Sequence, residues 1–490
     1  MSLRYPDGNA VATASIDSSL AAAAEDHALV RVPQEERKSG WFLALSPVSV
    51  ATALVIFAIG GFAVVLAGFK VGLITGLVIA VIGAVLGKTL SMIAFQSGVS
   101  STITSRFFGF GQKGSVFGSA IFAFMIIGFL AMESALLYEG TLLMFGWSDT
   151  WTTRILLYGA LTLAWIALAI FGLKVALRSS LVMTVITLAV AIYMVIYIYV
   201  IQGNSPMDVF NYPGVVEGGF WAKFVAAFGV MGATAGTISL VTMDFARYAR
   251  TQRDVTILAM AGPLVQNILM VVLGSLIVIG GMPQVIDYLV ARDAGLTPEA
   301  ASAAAGGFVM SNTGAFFVIF AGWIGFLTIY ASQAKAQAIN AYSGSLSLVN
   351  MIDALTGWSP GRAVMVVVAN IIGLMMIGGG ILHQFAAYLA YLGCWTLAMS
   401  AIMIADYFFV RRHIKVHDFD RVENWNWAGL VTLVVASVVG MVLMFSGIFS
   451  LGFIVSGVIA LFLYPALRKV LPEGTGTTFT SKSEAMAEAY

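Results

Sequence analysis

The sequence predicts an all-α integral membrane protein with twelve transmembrane helices. Of the 490 residues, 60% are hydrophobic and only 10% are charged, whereas a soluble domain carries about 25% charged residues. A water-exposed surface this poor in charge would contain large apolar patches. The apolar residues also form long unbroken runs, unlike the short alternating segments of a membrane β-barrel. The bilayer is therefore the expected solvent for this chain.

Composition also argues against several other classes of protein. The apolar content excludes an ordinary soluble enzyme and a disordered chain. The net charge of +1 gives no basic excess for binding nucleic acid. The single cysteine, Cys394, allows neither a disulfide framework nor a cysteine metal site. The sequence contains no HExxH or GxSxG motif and only four histidines, which argues against a membrane-embedded enzyme.

The individual spans follow from the length of the apolar windows. A spanning helix needs about 20 mainly apolar residues, and charges and Gly/Pro clusters mark the boundaries of these windows. The sequence contains twelve of them. They cover approximately residues 43–68, 72–96, 115–145, 152–174, 178–202, 218–243, 256–281, 307–335, 363–381, 383–409, 426–446 and 449–467.

Lysine and arginine in the connecting segments predict the orientation of the spans, because cytoplasmic loops are enriched in both residues. The predicted outer loops contain only Lys70, Arg154, Lys223 and Arg292. The predicted inner segments contain sixteen basic residues: Arg37, Lys38, Arg106, Lys113, Lys174, Arg178, Arg247, Arg250, Arg253, Arg362, Arg411, Arg412, Lys415, Arg421, Arg468 and Lys469. We therefore expect a multi-pass plasma-membrane protein with both termini in the cytoplasm.

The spans divide the chain into five regions. We expect a disordered N-terminal tail at 1–39, spans one to five at 40–202 and spans six to ten at 203–412. Spans eleven and twelve occupy 413–470, and a C-terminal tail follows at 471–490. The N-terminal tail has no apolar core near its start, so it does not resemble a cleaved signal peptide.

Two glycine clusters predict broken helices. Residues 58–61 (AIGG) fall near the middle of span one, and residues 229–237 (GVMGATAGT) fall in span six. Five spans separate the clusters, so two five-helix repeats would have inverted orientations, as in many transporters. The alternative is that these glycines are contacts between packed helices.

Ionisable residues at bilayer depth are rare and are candidates for function. Glu133 lies in span three, four residues after Phe129, so the two side chains share one helix face. An aromatic ring beside a carboxylate suits a flat heterocycle with N–H donors. The alternative is that Glu133 forms a structural ion pair, with Lys335 of span eight as its partner.

Span eight is the most polar of the predicted spans. Thr328 and Ser332 are four residues apart, and their hydroxyls are suitable ligands for a small cation. Gln333 and Gln337 form an adjacent row of amides that can contact the edge of a heterocycle. Each glutamine has the alternative of a hydrogen bond between helices.

Four motifs, in this order and spacing, resemble the nucleobase:cation symporter-1 family, the purine–cytosine permease and hydantoin transporter group. The resemblance covers about residues 35–470. It is carried by residues 104–115 (TSRFFGFGQKGS), 244–250 (DFARYAR), 340–346 (NAYSGSL) and 406–412 (DYFFVRR). In the second and fourth motifs an aspartate precedes arginines, which favours inner ion pairing and leaves gating as an alternative. The family implies two inverted five-helix repeats plus two C-terminal helices.

The resemblance also implies a substrate site between spans one, three, six and eight. The positions that match are Phe129 as the stacking aromatic, with Glu133, Thr234, Ala235, Thr237, Gln333 and Gln337 around it. Two positions depart from the family pattern. Phe129 stands where the family often has tryptophan, and Ala235 stands where an aromatic residue is expected, which implies a roomier pocket or a different substrate.

The family's sodium site implies a second group of residues. Carbonyls near Ala58 and Gly61 would act with residues of span eight at Thr328, Ala331 and Ser332. Ala331 occupies a position where the family has a hydroxyl. Lys335, one turn after Ser332, can stand in for a bound cation. Sodium or a proton is therefore the expected coupling ion, no other metal or cofactor is expected, and the lysine alternative predicts sodium-independent, pH-dependent transport.

Together these features predict a secondary active transporter that imports a small nitrogenous heterocycle (a purine, pyrimidine or hydantoin-like compound) by alternating access. One alternative is a proton-coupled transporter of a cationic amine or vitamin precursor. Another is an uncoupled facilitator or channel, although a simple pore needs neither paired broken helices nor buried charges. The expected partners are the small-molecule substrate and the lipid bilayer, with no nucleic acid, and a monomer is expected.

Overall fold

The computed structural model of the chain describes residues 32–171, 173–292, 295–411 and 422–471. Most of the predicted N-terminal tail and the C-terminal tail beyond Leu471 lie outside these ranges. The basic residues Arg412, Lys415 and Arg421 also lie outside them, as do the side chains of Lys174 and Arg178.

The first half of the described chain consists of eight helices, and its longest apolar runs form the longest helices. A short irregular turn at Arg106–Phe110 and a π-helical turn at Tyr197–Ile201 interrupt them. The helices are α1 (Gly40–Ala51), α2 (Leu54–Ala67), α3 (Phe69–Ser97), α4 (Ser101–Ser105), α5 (Ser115–Phe145), α6 (Trp151–Phe171), α7 (Leu173–Ile196) and α8 (Pro206–Phe210).

The second half contains eleven helices in the described residues. π-helical turns at Val265–Leu269 and Asp406–Val410 extend two of its spans. The helices are α9 (Phe220–Met231), α10 (Ala233–Ala246), α11 (Gln252–Leu264), α12 (Met270–Val278), α13 (Met282–Arg292), α14 (Pro298–Ser311), α15 (Thr313–Thr356), α16 (Arg362–Gly378), α17 (Phe385–Ala405), α18 (Trp427–Phe445) and α19 (Gly452–Val470).

The predicted all-helical membrane fold is confirmed. The number of spans found is close to the predicted twelve. Ten helical segments in the described residues are long and apolar enough to cross a bilayer, and the bent pair α1–α2 makes an eleventh. The predicted ninth span corresponds to α16, which has 17 residues and is shorter than the others. That α16 is the twelfth membrane span therefore stays a prediction.

Helix α5 lies at the centre of the bundle. Its apolar window is 83% buried inside the protein, whereas the window of α6 is 17% buried and presents most of its side chains outward. Polar groups on α5 are therefore shielded from lipid and solvent alike, which makes this helix the natural scaffold for a buried site.

Span one is broken, but six residues earlier than predicted. Helices α1 and α2 meet at an angle of 63°, and Ala53 between them has an extended backbone (φ −77°, ψ 160°). The predicted break at 58–61 is wrong, because these residues lie inside the continuous helix α2. Gly60 and Gly61 pack closely on α12 instead, so they serve as helix contacts.

Span six shows a weaker interruption than predicted. Helices α9 and α10 are separated only by Gly232, whose backbone is helical (φ −61°, ψ −36°). Among the described helix pairs that are together long and apolar enough to cross a membrane, α1 and α2 form the one pair bent by more than 40° at a short break. The predicted interruption of span six therefore lies within the cluster at 229–237 but produces no sharp bend, and a Cβ on Gly232 would clash with the ring of Phe453.

Span eight is much longer than the window at 307–335. Helix α15 has 44 residues and contains a kink at Gly322, whose φ of 51° suits glycine. The part after the kink, residues 323–356, is by itself about 51 Å long at 1.5 Å per residue, which exceeds the roughly 30 Å of the hydrocarbon core. The motif at 340–346, predicted to follow the span, lies inside this helix.

Two glycines give a test of the packing interpretation. A Cβ on Gly60 would lie 2.8 Å from the carbonyl oxygen of Met270, whereas a Cβ on Gly229 would meet nothing within 4 Å. We expect Gly60→Ala to destabilise the protein by about 1–3 kcal/mol through overpacking. Gly229→Ala should stabilise it by up to about 1 kcal/mol, because alanine favours the helix. Thermal unfolding of the two variants checks both, and a Gly60→Ala protein as stable as wild type would contradict the packing role.

Candidate functional site

The break between α1 and α2 exposes backbone groups in the protein interior. The last carbonyls of α1 and the first N–H groups of α2 have no partners within their own helices. Because buried backbone groups need hydrogen bonds, side chains from other helices must supply them. These side chains come from α5 and α15, the two helices that the polar residues of spans three and eight predicted as a site.

The N-terminal end of α2 receives acceptors from both helices. The Leu54 N–H donates to Gln333 Oε1 at 3.4 Å, and the Val55 N–H donates to the carboxylate of Glu133. Glu133 is 1% exposed. A carboxylate at the N-terminus of a helix is stabilised by the helix dipole, so the break itself helps to hold this buried charge.

The C-terminal end of α1 receives donors from α15. Ser332 Oγ donates to the Thr52 carbonyl at 3.0 Å. Lys335 Nζ donates to Thr52 Oγ1 and to Thr184 Oγ1 of α7 at 3.0 Å. A cation at the C-terminus of a helix is favourable for the same electrostatic reason. The two half-helices of span one therefore carry opposite charges at the ends that face each other.

Glu133 and Lys335 act on each other electrostatically across the break. The structure does not join them as a direct ion pair, because Lys335 donates to the two threonines and Glu133 receives the Val55 amide. The simple ion-pair alternative therefore does not describe either residue.

Two polar atoms beside the break have no protein partner. Glu133 Oε2 and Gln333 Nε2 are both buried without a hydrogen bond among the described residues. The Gln333 Oε1 atom accepts from the Leu54 N–H, and the Glu133 carboxylate accepts from the next amide, that of Val55. Buried polar groups of native proteins are normally satisfied, so an unpaired acceptor and an unpaired donor at the same helix turn suggest a place for a ligand.

Gln337 is used differently from Gln333. Its Nε2 donates to the Leu130 carbonyl and to Ser134 Oγ of α5, both at 2.9 Å, and its Oε1 accepts from Asn340 at 3.1 Å. These bonds tie α15 to α5 on either side of Glu133. The hydrogen bond between helices, which the sequence left open for each glutamine, describes Gln337 in this structure.

Phe129 packs against an aromatic residue that the sequence did not single out. Its ring meets that of Tyr388 edge to face, with 5.9 Å between centroids, and the Tyr388 hydroxyl donates to the Met125 carbonyl at 2.6 Å. Tyr388 of α17 therefore fixes the ring one turn before Glu133. No local motif marked this residue, because only the folding of span ten against span three brings it there.

The three candidates on span six are buried against other neighbours. Thr234 Oγ1 donates to the Met231 carbonyl at 2.5 Å and to Asn267 Oδ1 at 3.3 Å. Thr237 Oγ1 donates to the Ala233 carbonyl of its own helix at 3.1 Å, and Ala235 lies beside Gly83 of α3. None of these contacts reaches Glu133 or Gln333, so the structure does not bring these three residues to the break.

Some of the residues implied for a sodium site contact the helix break, and the others do not. Ala58 and Gly61 lie inside α2, where carbonyls are used by the helix's own hydrogen bonds. Thr328 Oγ1 donates to the Ile324 carbonyl at 2.7 Å, and Ala331 carries no oxygen. Only Ser332 and Lys335 contact the break, through Thr52. The sequence did not single out Thr52 and Thr184, because a single hydroxyl residue in an apolar span forms no distinctive pattern.

The two ends of the helix bundle differ in the side chains that line them. At the end predicted to be outside, a cavity of about 610 Å³ opens between the helices. It is mainly apolar, and its lining includes Phe62, Val225, Val230, His383, Phe385 and Leu389.

Buried ion pairs lie at the opposite end of the bundle. Arg106 pairs with Asp353 at 2.5 Å. A second cluster joins Arg411 to Asp406 at 3.1 Å and to Glu423 at 3.2 Å, and Arg468 to Glu423 at 2.7 Å. The Asp406–Arg411 pair matches the ion-pairing interpretation of the motif at 406–412, whereas Asp244 of the motif at 244–250 accepts from the Ser101 N–H at 2.8 Å.

Comparison with known proteins gives a likeness in structure. No family model and no curated protein matches the sequence. Mhp1, a nucleobase-cation-symport-1 family transporter solved in a closed conformation with bromovinylhydantoin bound, matches with a TM-score of 0.65 at 20% identity, over 94% of this chain and 98% of that chain. The chain shares this fold. An inward-facing conformation of Mhp1 matches with a TM-score of 0.66 at 19% identity, over 94% and 96% of the two chains.

A further solved structure has the same architecture. A Na+-coupled sialic acid symporter in a substrate-bound outward-open state matches with a TM-score of 0.63 at 13% identity, over 94% of this chain and 97% of that chain. The matches cover nearly the whole of each chain, so the likeness applies to the entire bundle. At these identities the likeness shows the fold.

Proposed function

We propose that this protein is a secondary active transporter that imports a small nitrogenous heterocycle. The observation that carries the proposal is the pair of unpaired polar atoms, Glu133 Oε2 and Gln333 Nε2, at the first turn of α2. A broken helix with free hydrogen-bonding groups inside a membrane bundle is a common substrate site in transporters. The shared fold of Mhp1 and the sialic acid symporter supports the same class of function.

The chemistry of the two atoms restricts the substrate. A carboxylate oxygen accepts a hydrogen bond, and an amide nitrogen donates one. The complementary ligand presents a ring N–H next to a ring C=O, an arrangement that purines, pyrimidines and hydantoins contain. Mhp1 was solved with a hydantoin bound, which supports this substrate class. Phe129 would contact the face of the ring, as predicted from its position one turn before Glu133.

The two ends of the bundle fit transport by alternating access. An apolar cavity lies at the predicted outer end, and we propose that the ion pairs at the other end separate when the substrate is released. We propose that the protein lies in the plasma membrane with both termini in the cytoplasm and acts as a monomer without a cofactor. A cation or proton gradient would drive uptake. In this proposal the protein acts as a transporter and not as an enzyme.

Uptake of radiolabelled nucleobases and hydantoins by transport-deficient cells tests the proposal. We expect at least one compound with adjacent N–H and C=O groups to accumulate above its external concentration. An analogue methylated at that nitrogen should compete about tenfold or more weakly, since a lost hydrogen bond to a charged group is worth about 1.5–3 kcal/mol. Normal expression without uptake of any such compound would refute the substrate class.

The same assay separates the rival functions. Uptake that never exceeds equilibrium and ignores ionophores would indicate an uncoupled facilitator. Competition by cationic amines, together with no competition by neutral heterocycles, would indicate an amine transporter. The unpaired Gln333 Nε2 is a donor and disfavours a ligand that carries only donors.

A further inference from the structure

Lys335 is an unusual residue for the centre of a membrane bundle. Its side chain is 1% exposed, and its ammonium donates to Thr52 Oγ1 and Thr184 Oγ1. The titratable group that acts on it from another helix is Glu133 of α5, while its contacts on α1 and α7 are uncharged hydroxyls. We call Thr52, Thr184, Ser332 and Lys335 the Lys335 cluster. A buried lysine needs a compensating environment, and this cluster provides one.

The compensation comes from oxygen atoms and a helix end. Thr52 ends α1, so its surroundings carry the partial negative charge of the helix C-terminus. The ammonium and the Ser332 hydroxyl together satisfy the Thr52 side chain and carbonyl. Hydroxyl and carbonyl oxygens at a helix C-terminus are also what a small metal cation would require. The ammonium therefore occupies an environment suited to a cation.

A sodium ion does not fit the residues present. Of the positions implied for such a site, Ala58 and Gly61 lie in a continuous helix, Ala331 has no oxygen and Thr328 is bonded to its own helix. The remaining cavity between Thr52, Leu54, Phe317 and Ser332 has a volume of about 10 Å³, which is about the minimum for one water molecule. A second cation there would also be repelled by the ammonium.

We propose that the Lys335 ammonium is the resident cation of the helix break, so that this protein binds no sodium ion between α1 and α15. Lys335 is a positioning residue: it holds the C-terminal end of α1 while Glu133 holds the N-terminal end of α2. The inference deepens the proposed transport function, because it concerns the cation at the same break. It is tested by ion binding, which does not depend on the identity of the substrate.

The experiment measures thermal unfolding of the purified full-length protein. Sodium chloride is exchanged for choline chloride at constant ionic strength, because any ion that binds the folded state raises its apparent stability. We expect the melting temperature of the wild-type protein to be the same in both salts. A saturable increase with sodium in the wild-type protein would overturn the proposal.

Variants test whether the ammonium itself takes the place of a cation. Lys335→Ala removes the charge and leaves the oxygens of Thr52, Thr184 and Ser332 around the space. We expect this variant to melt lower in choline and to gain about 2 °C or more at saturating sodium. A folded Lys335→Ala protein that ignores sodium would contradict the proposal.

Two further variants complete the design. Lys335→Met keeps the side-chain volume without the charge. It should melt at a lower temperature than wild type and should not respond to sodium; a sodium response equal to that of Lys335→Ala would overturn the proposal.

Lys88→Ala is the control, because it alters an exposed lysine of α3, and it should melt as wild type does. If Lys335→Ala does not fold, the wild-type titration still decides the question. Failure to find a transported heterocycle would leave these melting curves unchanged, so the two proposals can fail separately.

Discussion

Glu133→Gln is expected to reduce heterocycle uptake by about ten- to hundredfold with little change in protein level. The glutamine carbonyl can still accept from the Val55 N–H, so the helix break is retained. The position of the unpaired Oε2, however, becomes an NH₂ donor. A ligand N–H then faces a donor and loses a charge-assisted hydrogen bond worth about 1.5–3 kcal/mol. Initial uptake rates at several substrate concentrations, normalised to surface expression, measure the effect.

Glu139→Gln is the matched control for this prediction. Glu139 lies on the same helix, six residues later, and its side chain is partly exposed rather than buried. The same change of chemistry at this position should leave uptake within about twofold of wild type, since a separation of six residues places Glu139 on a different face of α5 from Glu133. If Glu133→Gln transports as well as Glu139→Gln does, the carboxylate does not contact the substrate.

Asp406→Ala is expected to destabilise the protein by about 3–5 kcal/mol, enough to prevent accumulation of folded protein in cells. Asp406 is fully buried, accepts from the Gly109 N–H at 2.7 Å and pairs with Arg411. With Glu423 and Arg468 it forms a buried group of two negative and two positive charges. Removing one carboxylate leaves an excess positive charge in the interior, which is strongly destabilising. Detergent-solubilised yield and melting temperature check the prediction.

Asp208→Ala provides the comparison for Asp406→Ala. Asp208 is exposed in α8, so its removal should change stability by about 0.5 kcal/mol or less. Asp406→Asn should fall between the two, because the amide oxygen can still accept from Gly109 while the charge is lost. An Asp406→Ala protein that melts with wild type would mean that the cluster does not stabilise this end of the bundle.

Local composition was enough to predict most of the helices. An apolar window of sufficient length must form a helix in lipid, because only a helix satisfies its own backbone groups there. The window at 115–145 coincides with α5, and the polar loops on either side end it. The same logic selected Glu133 and Lys335, since a charge inside an apolar window stands out against its surroundings.

Interruptions within the spans were harder to predict from the sequence. The glycines at 58–61 indicated a break that the structure places at Thr52 and Ala53, and Gly232 turned out to have a helical backbone. A glycine lowers helix stability by only about 1 kcal/mol, so it permits a break without requiring one. Whether the helix breaks depends on partners for the freed backbone groups.

The helical membrane architecture and the two rare buried charges could therefore be predicted from the residues alone, because both follow from the cost of placing polar groups in lipid. The position of the break in span one, and the residues that bind its free backbone groups, depend on how the helices pack. Ser332 and Gln333 contact Thr52 and Leu54 from about 280 positions along the chain. Hydrogen bonds between such distant residues leave no periodic pattern in the sequence of either segment. The packing of the helices is therefore needed to show that the two buried charges lie at opposite ends of one break.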